Sequence, residues 1–191
     1  MIIRHLYLEQ LSRWQDKKVI KVITGVRRSG KSTLLHQFAE NLQSGGVKTE
    51  NCLEINFEDF RFQKLLDAQC FYDYVMERLQ PGKNYLFFDE IQMMPEFQKV
   101  IDSLFLLDNV DIYITGSNAH LLSGELATLL SGRYIEIKVL PLSFAEFYGA
   151  VQGDKDSAFN NYLEQGGFPY LLALPKDLQR EYLEGIFATV L

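Results

Sequence analysis

The chain has 191 residues, 47% hydrophobic and 23% charged. That fits one globular domain, or a domain with a small appendage, and excludes a disordered or fibrous chain. A formal net charge of −6 argues against a global electrostatic grip on nucleic acid, while leaving room for a local basic patch.

Two cysteines, Cys52 and Cys70, are too few for a disulfide framework or a zinc site. Together with a start, MIIRHLYLEQL, that lacks a signal peptide's apolar core, they make a reducing cytoplasm the expected setting. No uninterrupted apolar run reaches about 18 residues, so no membrane span is expected.

In chain order, residues 5–15 read as a short amphipathic helix. KVIKVITG (18–25) is a β-branched run ending in glycine, the pattern of a buried parallel strand. Leu34, Leu35, Phe38, Ala39 and Leu42 recur at helical spacing within 31–44, and Gly45-Gly46 stops that helix. NCLEINF (51–57) reads as a second strand, 62–80 as a helix closed by Pro81-Gly82, and NYLFFDE (84–90) as a third strand. Phe97, Val100, Ile101, Leu104 and Leu107 mark another helix, DIYITGS (111–117) a fourth strand, and 119–130 a helix capped by Gly132. RYIEIKVL (133–140) reads as a fifth strand.

Strand and helix alternate throughout this stretch, which calls for a parallel sheet with helices on both faces, an α/β fold. Pro141 ends the pattern, dividing a core over 1–141 from a strandless helical segment over 142–191 that reads as a small lid or interdomain linker. The last helix, LQREYLEGIFATVL, keeps its apolar spacing to the final residue. Continuation into further domains is the expectation, and a natural terminus that frays is the alternative.

GVRRSGKST (25–33) lies between the first strand and its helix and fits G-x-x-x-x-G-K-[ST] in full. Such a match arises by accident in roughly one chain in a hundred of this length, and the strand–helix context makes chance rarer still. Gly25 and Gly30 permit positive φ and let backbone N–H groups, including that of Ser29, turn inward around phosphate oxygens. The helix that starts near Lys31 adds its positive dipole end. Lys31 is expected on the β- and γ-phosphates, Ser32 on Mg²⁺, and Thr33 on the α-phosphate side. Arg27 and Arg28 are not required by the motif. They neutralise phosphate charge, with Arg28 the one placed among the nucleotide contacts, or face a neighbouring subunit, or are solvated and salt-bridged.

YLFFDE places Asp89 and Glu90 at the carboxyl end of a buried strand, where open α/β sheets bind ligands. Asp89 is expected to hold Mg²⁺, mostly through its water shell, and Glu90 to polarise an attacking water. After the fourth strand, Asn118, with Ser117 second, orients the water or senses the γ-phosphate, or else caps the next helix. Arg133 is a candidate arginine finger, acting within the chain or across a subunit interface, or is a strand-edge surface residue. Glu58 and Asp59 position metal or water, or cap the following helix. His5, His36 and His120 look structural. Trp14 and Tyr7 are candidates for an adenine pocket, with core packing preferred. The aromatics of 144–172 lack the basic interleaving of a nucleic-acid stacking platform.

ITGVRRSGKSTLL, INFEDFRF, YLFFDEIQ, ITGSNAHLLSGELATLLSGRYIEIKVLPLSFAEF and GGFP, in that order, resemble the prokaryotic AAA-type ATPases that carry an appended C-terminal domain of unknown function. The resemblance covers nearly the whole chain and is most specific over about 19–148. It implies an AAA+-like P-loop core with sheet order 5-1-4-3-2, then a helical lid and further domains such as a winged helix and a nuclease-like domain. It carries Lys31, Ser32, Thr33, Asp89, Glu90 and Asn118 over to ATP and Mg²⁺ handling. It also places Arg133 where such proteins often keep an arginine finger, which fits a homo-oligomer with a shared site. Arg180, the one arginine of the helical tail, is a weak candidate for a nucleotide-sensing lid residue. Two activities follow as expectations: Mg²⁺-dependent ATP hydrolysis coupled to an unknown partner or domain, or a nucleotide-state switch or DNA-linked regulator with little turnover. Nucleic acid enters through the further domains if at all. A small-molecule kinase fits poorly, and no N/T-K-x-D stretch supports guanine.

Overall fold

The computed structural model describes residues 2–116, 130 and 132–190. β1 (Ile20–Thr24), β2 (Cys52–Asn56), β3 (Asn84–Asp89), β4 (Val110–Gly116) and β5 (Tyr134–Lys138) form one sheet in the order β2-β3-β4-β1-β5, and every neighbouring pair is parallel. This is the expected order.

Alternation along the strands sorts their side chains to two faces. Ile20, Val22, Ile55, Leu86, Phe88, Ile112 and Ile114 face one way, against α3 (Ala68–Met76) and α4 (Phe97–Phe105). Ile23, Tyr85, Phe87, Tyr113 and Ile137 face the other, against α1 (His5–Trp14) and α2 (Lys31–Ser44). Aromatic pairs fill both layers: the Phe71 and Phe88 rings lie edge to face at 4.9 Å, and Phe87 stacks on Tyr113 at 5.0 Å.

The helix expected over 62–80 is two pieces. The Asp59 side chain accepts from Arg61 N–H and starts a 3₁₀ segment, Phe60–Leu66. Asp67 then accepts from Cys70 N–H and starts α3, which stops at Met76. Each aspartate offers the backbone a cap that a continuous helix would forgo. Trp14, expected in the core, is 39% exposed at the end of α1. The helix expected over 119–130 lies outside the described residues.

Beyond Pro141 come α5 (Phe144–Val151), α6 (Lys155–Gln165), a 3₁₀ turn (Pro169–Ala173) and α7 (Lys176–Val190). Ser143 and Glu146 form a full capping box on α5. Phe144 and Phe147 pack on Tyr162 of α6, and the Tyr162 hydroxyl donates to the Leu142 carbonyl at 2.8 Å. Leu142 N–H donates to the Gly167 carbonyl at 2.6 Å, tying the tail to the chain leaving β5. No described helix is long and apolar enough to cross a membrane.

Candidate nucleotide site

Parallel strands deliver their carboxyl ends to one rim, and the motif residues gather there. β1 ends at Thr24 and α2 begins at Lys31, so residues 25–30 form the connecting loop. At Gly25 a Cβ would stand 2.2 Å from the Val139 carbonyl oxygen, so no side chain fits. Gly30 caps α2 with φ 95°, a conformation that favours glycine. The first amides of α2 have no acceptor within the helix, and among the described residues no backbone carbonyl accepts from Gly30, Lys31, Ser32 or Thr33.

The Lys31 side chain folds over the loop, donating to the carbonyls of Gly25 at 3.2 Å and Val26 at 3.4 Å, with Glu90 Oε1 3.6 Å away. Asp89, the last residue of β3, is buried. The Thr115 hydroxyl of β4 donates to its Oδ1, and Asn56 of β2 donates to its Oδ2 at 3.0 Å. Burial pushes the Asp89 carboxyl above the usual range, Glu90 adds to the rise, and the Thr115 and Ser32 hydroxyls and Lys31 oppose it. Glu90 sits in the left-handed region (φ 52°), its N–H donating to Thr115 Oγ1 at 3.0 Å and its Oε2 accepting from Gln92 at 2.5 Å. Thr115 therefore fixes both acids at once.

The structure thus brings Lys31, Ser32, Thr33, Asp89 and Glu90 into one place. The loop faces a cleft of about 710 Å³ lined by Arg28, Gly30, Lys31, Ser32, Thr33 and Glu90 on one side. Ile2 and Arg4 line it from before α1, and Pro169, Tyr170, Leu172, Ala173 and Tyr182 from the tail. Arg28, at φ 67°, lays its guanidinium 5.0 Å from the centre of the Tyr182 ring. Arg27 pairs with Glu58 at 3.2 Å, and both are exposed.

Other expected residues fall elsewhere. Arg133 precedes β5 at the opposite rim: its carbonyl accepts from Ile20 N–H, and its side chain pairs with Asp102 of α4. Five strand residues at about 3.3 Å each separate the rims, so Arg133 cannot serve this chain's own cleft. Asp59 caps a turn, as its structural alternative held. Tyr7 and Trp14 line a separate depression beside β5. His36 is a surface residue beside Glu54. Ser117, Asn118 and His120 lie outside the described residues.

Sequence reading missed Arg4, Asn56, Thr115, Pro169, Tyr170 and Tyr182. A threonine at the end of the strand beside β3, in ITG, was a local signal for Thr115. The others are brought in by tertiary packing alone.

Mg²⁺ fits these residues. A buried carboxylate with a raised pKa lies beside a serine hydroxyl, and Mg²⁺ in nucleotide sites needs only one or two protein ligands besides phosphate and water. Among the described residues no cluster of three or more His, Cys, Asp or Glu would hold a metal unaided.

The family model described as an AAA domain matches residues 17–148. The chain is 47% identical over 197 aligned residues to an uncharacterized protein of Haemophilus influenzae, covering 100% of this chain and 49% of that protein. It is 35% identical over 186 residues to an uncharacterized protein of Methanocaldococcus jannaschii, covering 88% of this chain and 41% of that one. The chain thus spans about half the length of these curated relatives or less. In fold it is similar to a Walker-type ATPase of Pyrococcus abyssi (TM-score 0.60, 18% identity, 96% of this chain and 68% of that one). It is equally similar to AMPPCP-bound DnaA from Aquifex aeolicus (TM-score 0.60, 15% identity, 97% and 67%). With the loop, the acid pair and the sheet order in agreement, the chain belongs to the AAA-domain family of P-loop ATPases.

Proposed function

We propose that this chain binds ATP with Mg²⁺ and hydrolyses it. The observation that carries the reading is the approach of Lys31 Nζ to Glu90 Oε1, 3.6 Å, with Asp89 alongside and the first residues of α2 lining the same cleft.

The triphosphate lies against the amides of residues 30–33, where the dipole of α2 favours negative charge; the Ser29 amide, expected to join them, instead donates to the Val26 carbonyl at 3.2 Å. Lys31 exchanges the Gly25 and Val26 carbonyls for phosphate oxygens. Thr33 takes the α-phosphate side. Ser32 and Asp89 would hold Mg²⁺, which would neutralise charge on the phosphate oxygens.

Glu90, held by Gln92 and by the Thr115 hydroxyl on its own N–H, orients a water toward the γ-phosphorus and accepts the proton it sheds. The new P–O bond forms as the bond to the β–γ bridging oxygen breaks, releasing ADP and phosphate. Lys31 balances the developing charge. Asn118 assists the water, and Arg133, remote from its own cleft, serves the site of a neighbouring copy. Residues 142–191 act as the lid. Hydrolysis is coupled to a partner or to further domains, through which nucleic acid is engaged, in the cytoplasm.

Glu90→Gln tests this reading. MgATP affinity stays within about threefold of the parent, while turnover falls roughly 10²–10⁴-fold, the span of general-base catalysis. Hydrolysis at the parent rate would remove Glu90 from the mechanism.

A further inference from the structure

Arg4 stands outside the phosphate-binding motif, yet it is only 4% exposed and its guanidinium makes four hydrogen bonds, one of them to that loop. Its Nε donates to Glu146 Oε1 at 2.6 Å, and Nη2 donates to Oε2 of the same carboxylate at 3.3 Å. Nη2 also donates to the Leu140 carbonyl at 3.1 Å, and Nη1 donates to the Ser29 carbonyl at 3.3 Å. The guanidinium rests 4.7 Å from the centre of the Tyr7 ring. One side chain thus joins the segment before α1, the phosphate loop, the exit of β5 and the first turn of α5.

The bond to Ser29 bears on nucleotide binding. In a trans peptide the carbonyl of one residue and the N–H of the next point in opposite directions. Holding the Ser29 carbonyl toward Arg4 therefore turns the Gly30 N–H away from it. Gly30, at φ 95°, lacks the side chain that would otherwise restrict this plane. Glu146 in turn holds Arg4 while it caps α5 through Ser143. Burial raises the Glu146 carboxyl, but the Ser143 N–H, the Arg4 guanidinium and the Ser143 hydroxyl outweigh it and leave the carboxyl below its ordinary range. The pair is thus charged on both sides and bidentate, the geometry that fixes orientation best.

We propose that Arg4 is a positioning residue for nucleotide: it locks the Ser29–Gly30 peptide plane so that the Gly30 amide faces the phosphates, and through Glu146 it makes that lock depend on the seating of α5. The proposal rests on the nucleotide reading above. It predicts an effect on affinity, because an amide on a phosphate acts in the ground and transition states alike.

The test is MgADP titration calorimetry and steady-state MgATP hydrolysis on the intact chain, with melting temperature measured without nucleotide. Arg4→Gln raises the MgADP Kd and the MgATP KM at least tenfold while kcat stays within about threefold. Arg4→Lys, which can pair with Glu146 but lacks the fork to reach the Ser29 and Leu140 carbonyls as well, recovers melting temperature more than affinity. Glu146→Leu, which frees Arg4 from the tail, raises the Kd at least threefold and decides the matter if Arg4→Gln does not fold. Folded Arg4→Gln or Glu146→Leu protein with parental Kd overturns the inference alone, provided Lys31→Ala abolishes binding. A parent that takes up no MgADP overturns both the inference and the nucleotide reading.

Discussion

Lys21 and Lys31 each meet carboxylates, at opposite rims of one sheet, and the two sites are built to different ends. At the amino rim, Lys21 is fully buried on β1, donating to Asp111 and to the Lys17 carbonyl at 2.9 Å. Asp111 also accepts from Asp16 N–H and from the Tyr113 hydroxyl, both at 2.9 Å, and the Tyr85 hydroxyl donates to Asp16 at 3.0 Å. Burial lowers the Lys21 ammonium against the pull of Asp111, and it pushes the Tyr85 hydroxyl up to about 12. Every member has its partner within the chain, so this network fixes α1 and the strands in place. At the carboxyl rim, Lys31 makes only longer contacts, to two carbonyls and to Glu90, and Asp89 bears a cost for its charge. The same residue types give a closed structural network at one rim and a less fully partnered cluster, the site of the proposed MgATP, at the other.

The comparison breaks first at Asp111. Asp111→Ala leaves the Lys21 ammonium buried without its partner and should cost about 3–5 kcal/mol in denaturant unfolding. MgATP affinity of the protein that remains folded should not move. A fall in that affinity comparable to the fall in stability would mean the rims are not separate.

Gly25→Ala sharpens the other side. The new methyl meets the Val139 carbonyl at the exit of β5, and overpacking of this kind costs about 1–3 kcal/mol. Because the atom that must give way is backbone of the neighbouring strand, the loop itself shifts. Nucleotide binding should therefore fall along with the melting temperature, unlike the outcome at Asp111.

The smallest effect concerns acid stability of the tail. The folded pKa of Glu146 lies below its ordinary value of 4.5. Its contribution is therefore fully present above that value and is lost as pH falls through the folded pKa. Melting temperatures below about pH 5 should fall more steeply in the parent than in Glu146→Gln, with the curves running parallel near neutrality. Parallel curves across the whole acid range would show that the Arg4–Glu146 pair adds nothing to the fold.

Local chemistry explains what the sequence made legible. The strands, α2 and the loop carry their signals within a few neighbouring residues: β-branched runs, helical spacing, two glycines and a lysine. The sheet order and the meeting of Lys31 with Asp89 and Glu90 follow once those elements are joined in parallel. Contacts between distant segments carried no such signal. Arg4 and Glu146 are 142 residues apart and meet only when the tail folds back. Tyr182 lies on the last helix and reaches the loop through Arg28. Lys21 sits within an apolar run, and nothing adjacent in sequence announces the aspartate on β4 that neutralises it. The helix over 62–80 was misread because two aspartates, neutral choices inside a helix, act here as caps that restart the chain. Arg133 directly precedes β5, so in an all-parallel sheet it stands at the amino rim, opposite the cleft, and its place in the strand order already implied this.

The central claim is that the loop and the acid pair enclose one triphosphate. Calorimetric titration of a non-hydrolysable MgATP analogue into the intact chain, beside Lys31→Ala, tests it most directly. The account predicts one site per chain in the parent and at least a hundredfold weaker binding in the variant, about 2.7 kcal/mol, with an unchanged melting temperature without nucleotide. No heat from folded parent protein, or equal affinity in the two, would contradict it.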